Sequence, residues 1–495
     1  MEKNTRRNPL FSPLHQAWQQ HRFAVCIVVF FAVLMAMETF VNHLNYRTYS
    51  LDLGVYTNAL WDYAHGQWND SRTFLSRPIN LLHDHFDLYL LLFSPFSYVF
   101  GSYTLLVMQW FFVLFGAVGF YRWMLSDPNR SSLAIQGLLF YLSFFGIYAA
   151  LSFDYHSNVV AASLFPWFWM AFEKGKKGLT FLWLVLMVIG KENVSLWLAA
   201  VGISSFFLLP HRVLSSVVTF FSITYFLIIT QWVMPAMDTA NGSPMRFAYS
   251  VLGPDMKSAV IYLLSHPLQA AEWLFFPHAH QSGFEWAKME FWLFMIGCGF
   301  LFVIRKPAFL IAFAPLILQK MFHDQPTLWG VEAHYTIEFL PLLGILVFSV
   351  IAAMREPYRR FFSYGVVVLT MATTVRMMDH TTIWMDRSRL RIYSKAHYPN
   401  WEVVKERTAV LKAIPETAIV SATNVAVPHL ALRDQCYTFP DIPEQTTHVV
   451  IIPDSNEGEE SLLRTDAQVN ELLQSGQWKM NHQSPNVKVL ERVKH

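Results

Sequence analysis

Cysteine is scarce in this chain, with three in 495 residues. Cys26 and Cys298 fall in apolar runs and Cys436 stands alone near the C-terminus. No disulfide framework is implied, which excludes a small secreted scaffold. Charge is scarce too. Asp, Glu, Lys and Arg make up 15% of the residues, against about 25% in soluble domains, and this excludes an ordinary soluble enzyme. The formal net charge is only +2, so no basic field favours nucleic acid. The chain has no glycine-rich phosphate loop, no His-Glu-x-x-His pair and no repeat of solenoid length.

What remains is apolar. Hydrophobic residues account for 54% and aromatics for 16%, and the apolar runs, mostly of about 16–23 residues, have membrane-spanning length. Lys3, Arg6, Arg7 and Arg22 precede the first run. That run is long for a signal peptide and no small-residue cleavage site follows before Glu38 and Asn42, so the expectation is a retained first helix with a cytoplasmic start. Further spans are expected near 103–125, 132–151, 157–172, 213–234, 286–304, 307–322, 335–353 and 361–378. The run 179–209 is broken by Gly190-Lys191-Glu192-Asn193 and reads as two short spans, giving about eleven in all. The basic turns 122–130, 173–177, 211–212, 305–306 and 355–360 then share one side. The expected layout is a transmembrane domain over 1–379, with large outer loops at 44–102 and 235–285. A soluble α/β domain follows over 380–495, with helices over 401–414 and 466–474 and strands at 418–422, 448–452 and 487–490.

The polar residues concentrate on the other side. The stretch 45–87 is acidic and aromatic, and 51–64 within it suits a helix lying on the membrane surface. Asp52 stands just beyond the first span, where a carboxylate serves as a general base or orients a metal when it faces a cavity, and as a solvated helix end when it does not. His83, Asp84 and His85 cannot all point one way, so a divalent cation held there by His83 and Asp84 competes with plain loop hydrogen bonding. Lys191 and Glu192 lie in an apolar stretch, where an ionisable group costs on the order of a few kcal/mol and usually faces a cavity or a partner. Asp154 with His156, and Glu332 with His334, form two smaller clusters. Arg246, His278, His280 and Lys288 offer positive charge for a phosphate. Trp61, Trp68 and Tyr335 are placed to stack on a sugar or line a lipid groove.

These residues occur in recognisable strings. Asp52-Leu-Gly-Val-Tyr56, Ala59-Leu-Trp61, His65-Gly66, His85 followed by Ser94-Pro95, Lys191-Glu192, and His334-Tyr335 leading to Phe339-Leu-Pro341 resemble the bacterial membrane family DUF2079. So do Ile414-Pro415, Ser421-Ala-Thr-Asn424 and Pro428-His-Leu-Ala-Leu-Arg433 in the tail. That family is grouped with the GT-C glycosyltransferases, multi-span enzymes that use polyprenyl-phosphate-linked sugars. The resemblance implies an α-helical polytopic GT-C-like fold in a bacterial inner membrane, a polyprenyl-phosphate sugar donor among membrane lipids, and an envelope glycan, lipid or protein acceptor. It puts the catalytic acid of the first outer loop on Asp52. It also implies substrate contacts from Trp61, His65, His85, Lys191, Glu192, His334 and Tyr335, to which the charge of the second outer loop adds Arg246. Asp52-Leu-Gly is not a paired-acid Asp-x-Asp motif, so a divalent metal stays optional. A transporter or flippase of a lipid-linked or small polar substrate, and a non-catalytic assembly partner, are the other readings the residues leave open.

Overall fold

In the computed structural model, which describes residues 12–73, 78–237, 247–279, 281–454, 456 and 458–493, the apolar runs become helices. Helical segments stand at all the expected spans. Among the described residues, six stretches are long and apolar enough to cross a membrane: Gln19–Leu44, Tyr89–Leu125, Ala134–Leu151, Arg212–Ala236, Pro326–Ile351 and Tyr358–Asp379. Shorter apolar helices, among them Lys177–Val188, Glu192–Leu208 and Phe309–Met321, stand between them. The break at Gly190-Lys191 separates two helices, as the charges at that turn implied. Phe339–Ile351 is apolar all round, and most of it is buried. Such a helix belongs at the centre of a bundle. Thr104–Leu125 packs on Ser157–Glu173 through Gly116, where a Cβ would come within 2.7 Å of the Ser163 carbonyl oxygen. Small residues give membrane helices this close approach.

Two regions differ from expectation. The run 132–151 is two helices, Ala134–Leu142 and Phe145–Leu151. Phe144 is extended, and the free Ser143 carbonyl accepts from the Thr374 hydroxyl at 2.5 Å. Thr374 lies far away in sequence, so local periodicity does not reveal the break. The second large loop contains two helices, Met256–Ser265 and Pro267–Phe275. Both expose apolar side chains, with Leu264 and Leu268 the most open, as suits elements at a membrane surface.

Four of the basic turns, 122–130, 173–177, 211–212 and 305–306, meet at one end of the bundle. Arg130 makes a two-bonded pair with Glu173, both contacts 2.8 Å, Lys306 feels the same carboxylate, and the His211 ring packs on Gly175. The first loop lies at the opposite end, under a five-stranded sheet near the C-terminus. The strands are β1 Val420–Ala422, β2 Cys436–Thr438, β3 His448–Ile451, β4 Trp478–Gln483 and β5 Lys488–Arg492, in the order β2-β1-β3-β5-β4. β1 runs parallel to β2 and β3, and β5 antiparallel to β3 and β4. The expected strands and both helices, Trp401–Lys412 and Glu459–Gln474, are present. β2 is too short, and β4 too polar, to stand out in the sequence. One apolar cluster packs the Trp401–Lys412 side of the sheet and another the Glu459–Gln474 side. Chain order reverses between β1's two neighbours, so the loops after β1 and β3 flank a topological switch point.

Candidate functional site

The first span ends at Leu44, and the chain then makes a single wide π-helical turn, Ser50–Gly54, before the helix Val55–Ala64, which is mostly buried and not laid open on a surface as expected. Turns of this kind recur at functional sites because one extra residue re-aims the side chains. Asp154 holds this one: its Oδ2 accepts from the backbone N–H of Tyr49 at 2.9 Å and of Leu53 at 3.3 Å. Gln109 fixes Asp154's neighbourhood in turn, donating to the Asp154 carbonyl and accepting from the His156 N–H. Asp52 therefore projects from a braced turn. Its carboxylate is 24% exposed and lies 3.6 Å from Nε2 of His156.

His156 is buried, and its ring stacks on His334 with centroids 3.3 Å apart. The Tyr335 ring also packs against His334, tilted, with centroids 3.9 Å apart. Ala333, just before His334, has a φ of 64°, a region that disfavours residues with a Cβ. Strain of this sort persists where the surroundings over-determine it and is concentrated at active sites. Asn158, in the first turn of the helix Ser157–Glu173, donates to Glu338 at 2.8 Å and to the His334 carbonyl at 3.5 Å, tying the two segments together. Nδ1 of His156, both ring nitrogens of His334 and Oδ1 of Asp154 are buried without a protein partner among the described residues.

The Gly190–Asn193 turn supplies the third wall. Glu192 is buried and accepts from His85 Nδ1 at 3.3 Å and from the Phe86 N–H at 3.1 Å. Lys191 is buried as well. Among the described residues no acceptor lies within hydrogen-bond distance of its ammonium. Asp87 accepts from the Tyr89 N–H and the Tyr155 hydroxyl.

The charges follow from this packing. Burial pushes Asp52 up, but His156, Lys191 and His85 outweigh it and hold the carboxyl below its ordinary range. Burial drives Asp154 up to about 7, and the neighbouring Asp52 adds to the rise. Burial pulls the His156 imidazole below its ordinary value. Burial works against charge on Lys191, yet Tyr335, Glu192, Glu338 and Asp84 raise it above an ordinary lysine. At neutral pH the site therefore presents an ionised carboxylate, a neutral imidazole and a free cation. Paired groups pushed to opposite protonation states are what acid–base chemistry needs.

Not every residue singled out in the sequence comes here. Asp52, Asp84, His85, Lys191, Glu192, His334 and Tyr335 share electrostatic contact around one site. Trp61 and His65 stack on each other at 4.1 Å at the far end of the helix Val55–Ala64, with Trp61 about 13 Å along its axis from Asp52. His83 turns Nδ1 to the Asn80 carbonyl and Asp84 is exposed. Among the described residues no three His, Cys, Asp or Glu side chains are grouped to hold a metal ion. Trp68 is exposed. Lys288 is bonded to His278 and to the Trp273 and Phe276 carbonyls. Arg246 and His280 lie outside the described residues. Asp154, His156, Asn158 and Glu338 belong to the site although the sequence alone did not assign them to it. The proximity of Asp154 to His156 was visible, but not that both face Asp52.

The profile of the family described as "Predicted membrane protein (DUF2079)" matches residues 42–489. The fold is similar to that of ArnT from Cupriavidus metallidurans, solved bound to undecaprenyl phosphate, with a TM-score of 0.53 and 11% sequence identity. The likeness covers 96% of this chain and 98% of that one. The multi-span helical fold with a small C-terminal α/β domain expected from the sequence is thus the one found, and it is ArnT-like. No curated protein sequence matches the chain.

Proposed function

We propose, from the premise that this chain belongs to the DUF2079 family, that it is a membrane glycosyltransferase. It moves a sugar from a polyprenyl-phosphate-linked donor to a cell-envelope acceptor on the periplasmic face of a bacterial inner membrane. The observation that carries this reading is the pairing of an ionised, braced Asp52, 3.6 Å from His156, with Lys191, a buried residue whose ammonium takes no hydrogen bond among the described residues. The likeness to a solved protein with a bound polyprenyl phosphate supports the donor class. The separation of basic turns from this site supports the orientation.

In this mechanism Asp52 takes the proton of the acceptor hydroxyl as its oxygen attacks the anomeric carbon. The bond from that carbon to the phosphate oxygen breaks, and the electron pair leaves with the lipid phosphate. Attack opposite the leaving group inverts the anomeric centre. Lys191 and, from the second loop, Arg246 stabilise the charge that grows on the departing phosphate. Glu192 holds His85, which orients the sugar. His334 and Tyr335 close the wall behind His156. Trp61 and His65 extend the helix Val55–Ala64 towards the acceptor.

The test is turnover of a panel of polyprenyl-phosphate sugars, with a membrane-lipid extract as acceptor source, by the wild type and Asp52→Asn, each with and without chelator. Loss of at least about a hundredfold in the mutant is expected for removal of a general base. Equal turnover by Asp52→Asn removes Asp52 from the chemistry. Movement of labelled lipid across vesicles without transfer would favour a flippase.

A further inference from the structure

We infer that Asn424 positions the turn that carries Asp52, which makes the sheet domain part of the transfer site and not a separate module beside it. The inference rests on the reading of Asp52 above.

The carboxyl ends of β1 and β3 are tied to each other. Thr423, just after β1, donates its hydroxyl to the Ile452 carbonyl and accepts from the Ile452 N–H, both at 2.9 Å. This cross-tie pins the two loops beside the switch point. In open α/β sheets the crevice at such a point binds ligands. Here the same edge projects side chains at the first transmembrane loop. Oδ1 of Asn424 accepts from both the backbone N–H and the hydroxyl of Ser50, each at 2.9 Å. Ser50 opens the π turn, and Asp52 is two residues on. Asn456, beyond β3, donates to the Tyr49 hydroxyl at 3.2 Å. Val427 closes against Gly54, where a Cβ would meet its Cγ1 at 2.7 Å. Asn58 donates to the carbonyls of Ala431 and Arg433.

The turn is thus held from two sides. Asp154 in the bundle takes the N–H groups of Tyr49 and Leu53, and the sheet domain takes Ser50, Tyr49 and Asn58. A single π turn has little stability of its own, so it keeps its shape where neighbours over-determine it. Only Oδ1 of Asn424 is engaged; its amide nitrogen has no hydrogen-bond partner among the described residues. A residue that merely glued two domains together would not need to place one acceptor on both donors of the residue that opens the catalytic turn. A misplacement of about 1 Å at a reacting group is enough to slow chemistry by about a hundredfold.

The experiment uses the full-length protein in nanodiscs, with hydrogen–deuterium exchange over residues 47–56 and transfer kinetics measured on the same samples. Asn424→Ala is expected to speed exchange in that peptide at least tenfold, while peptides covering β1 and β3 keep wild-type protection. It is expected to lower kcat at least tenfold with the donor KM within twofold. Asn424→Asp retains the acceptor oxygen and is expected to restore both readouts to within threefold of wild type. Unchanged exchange in Asn424→Ala overturns the inference. So does an unchanged kcat when Asp52→Asn is inactive, because the turn then needs no help from the sheet. Full activity of Asp52→Asn instead defeats the functional reading, and the exchange arm alone then decides whether Asn424 holds the turn.

Discussion

Lys191→Met removes one charge from the site at nearly constant side-chain volume. The ammonium sits in the turn before Glu192–Leu208, near Tyr335, Glu192 and Glu338, and holds no hydrogen bond among the described residues. Transfer from a polyprenyl monophosphate sugar turns a singly charged phosphodiester into a doubly charged monoester, so the leaving group gains one negative charge. A unit pair at about 4 Å is worth about 4 kcal/mol at an effective dielectric near 20. With about half that charge developed in the transition state, about 2 kcal/mol of barrier depends on Lys191, or about thirtyfold in kcat. The ground-state phosphate loses a charge-assisted contact too, and donor KM is expected to rise by about tenfold. Lys191→Arg keeps the charge with a different donor geometry and should fall between. The assay is initial-rate transfer of labelled donor at saturating acceptor, with thermal unfolding in the same detergent to show that the fold survives. A rise in KM with kcat within twofold of wild type would mean uniform binding and refute leaving-group stabilisation. No change in either constant would leave Lys191 a purely structural role.

Three further outcomes follow from the charges and packing. Because His156 opposes the upward push of burial on Asp52, His156→Ala should move the acid limb of the kcat profile to higher pH; an unmoved limb would separate the two groups. Asp87 and Asp154 are both raised to about 7 by burial, above the roughly 3.9 of an unfolded chain. Their contribution to stability is fully present below that unfolded value and is lost as pH rises through about 7, at most on the order of 4 kcal/mol each. The thermal midpoint should therefore fall from pH 5 to pH 8, and Asp154→Asn should flatten part of that slope; a midpoint that rises over this range contradicts the assignment. At the opposite end, Arg130→Ala strips Glu173 of its two-bonded partner, and Arg130 is only 8% exposed. A loss of about 3 kcal/mol in detergent unfolding is expected, with activity per folded molecule unchanged.

The sequence by itself determined the solvent. Apolar runs of spanning length, few charges and basic turns at alternate ends leave the chain only a helical membrane bundle, since backbone groups in lipid must bond within their own helix. It also marked Asp52, His85, Lys191, Glu192 and His334, because an ionisable group beside an apolar run needs a reason to be there. The break at Gly190-Lys191 was legible for the same reason. Other features are non-local and could not be read. Asp154 and His156 look like a solvated turn until the bundle turns both towards Asp52. The kink at Ser143 depends on Thr374, and the π turn depends on a carboxylate about a hundred residues away in the chain. Asn424 reads as a turn residue after a short strand, and only the docking of the sheet on the first loop puts its oxygen on Ser50. The stacking of His156 on His334 likewise joins two helix starts that share no sequence pattern. Composition fixed where the chain resides. Which polar groups meet there was decided by contacts between segments remote in sequence, and local periodicity carries no record of those.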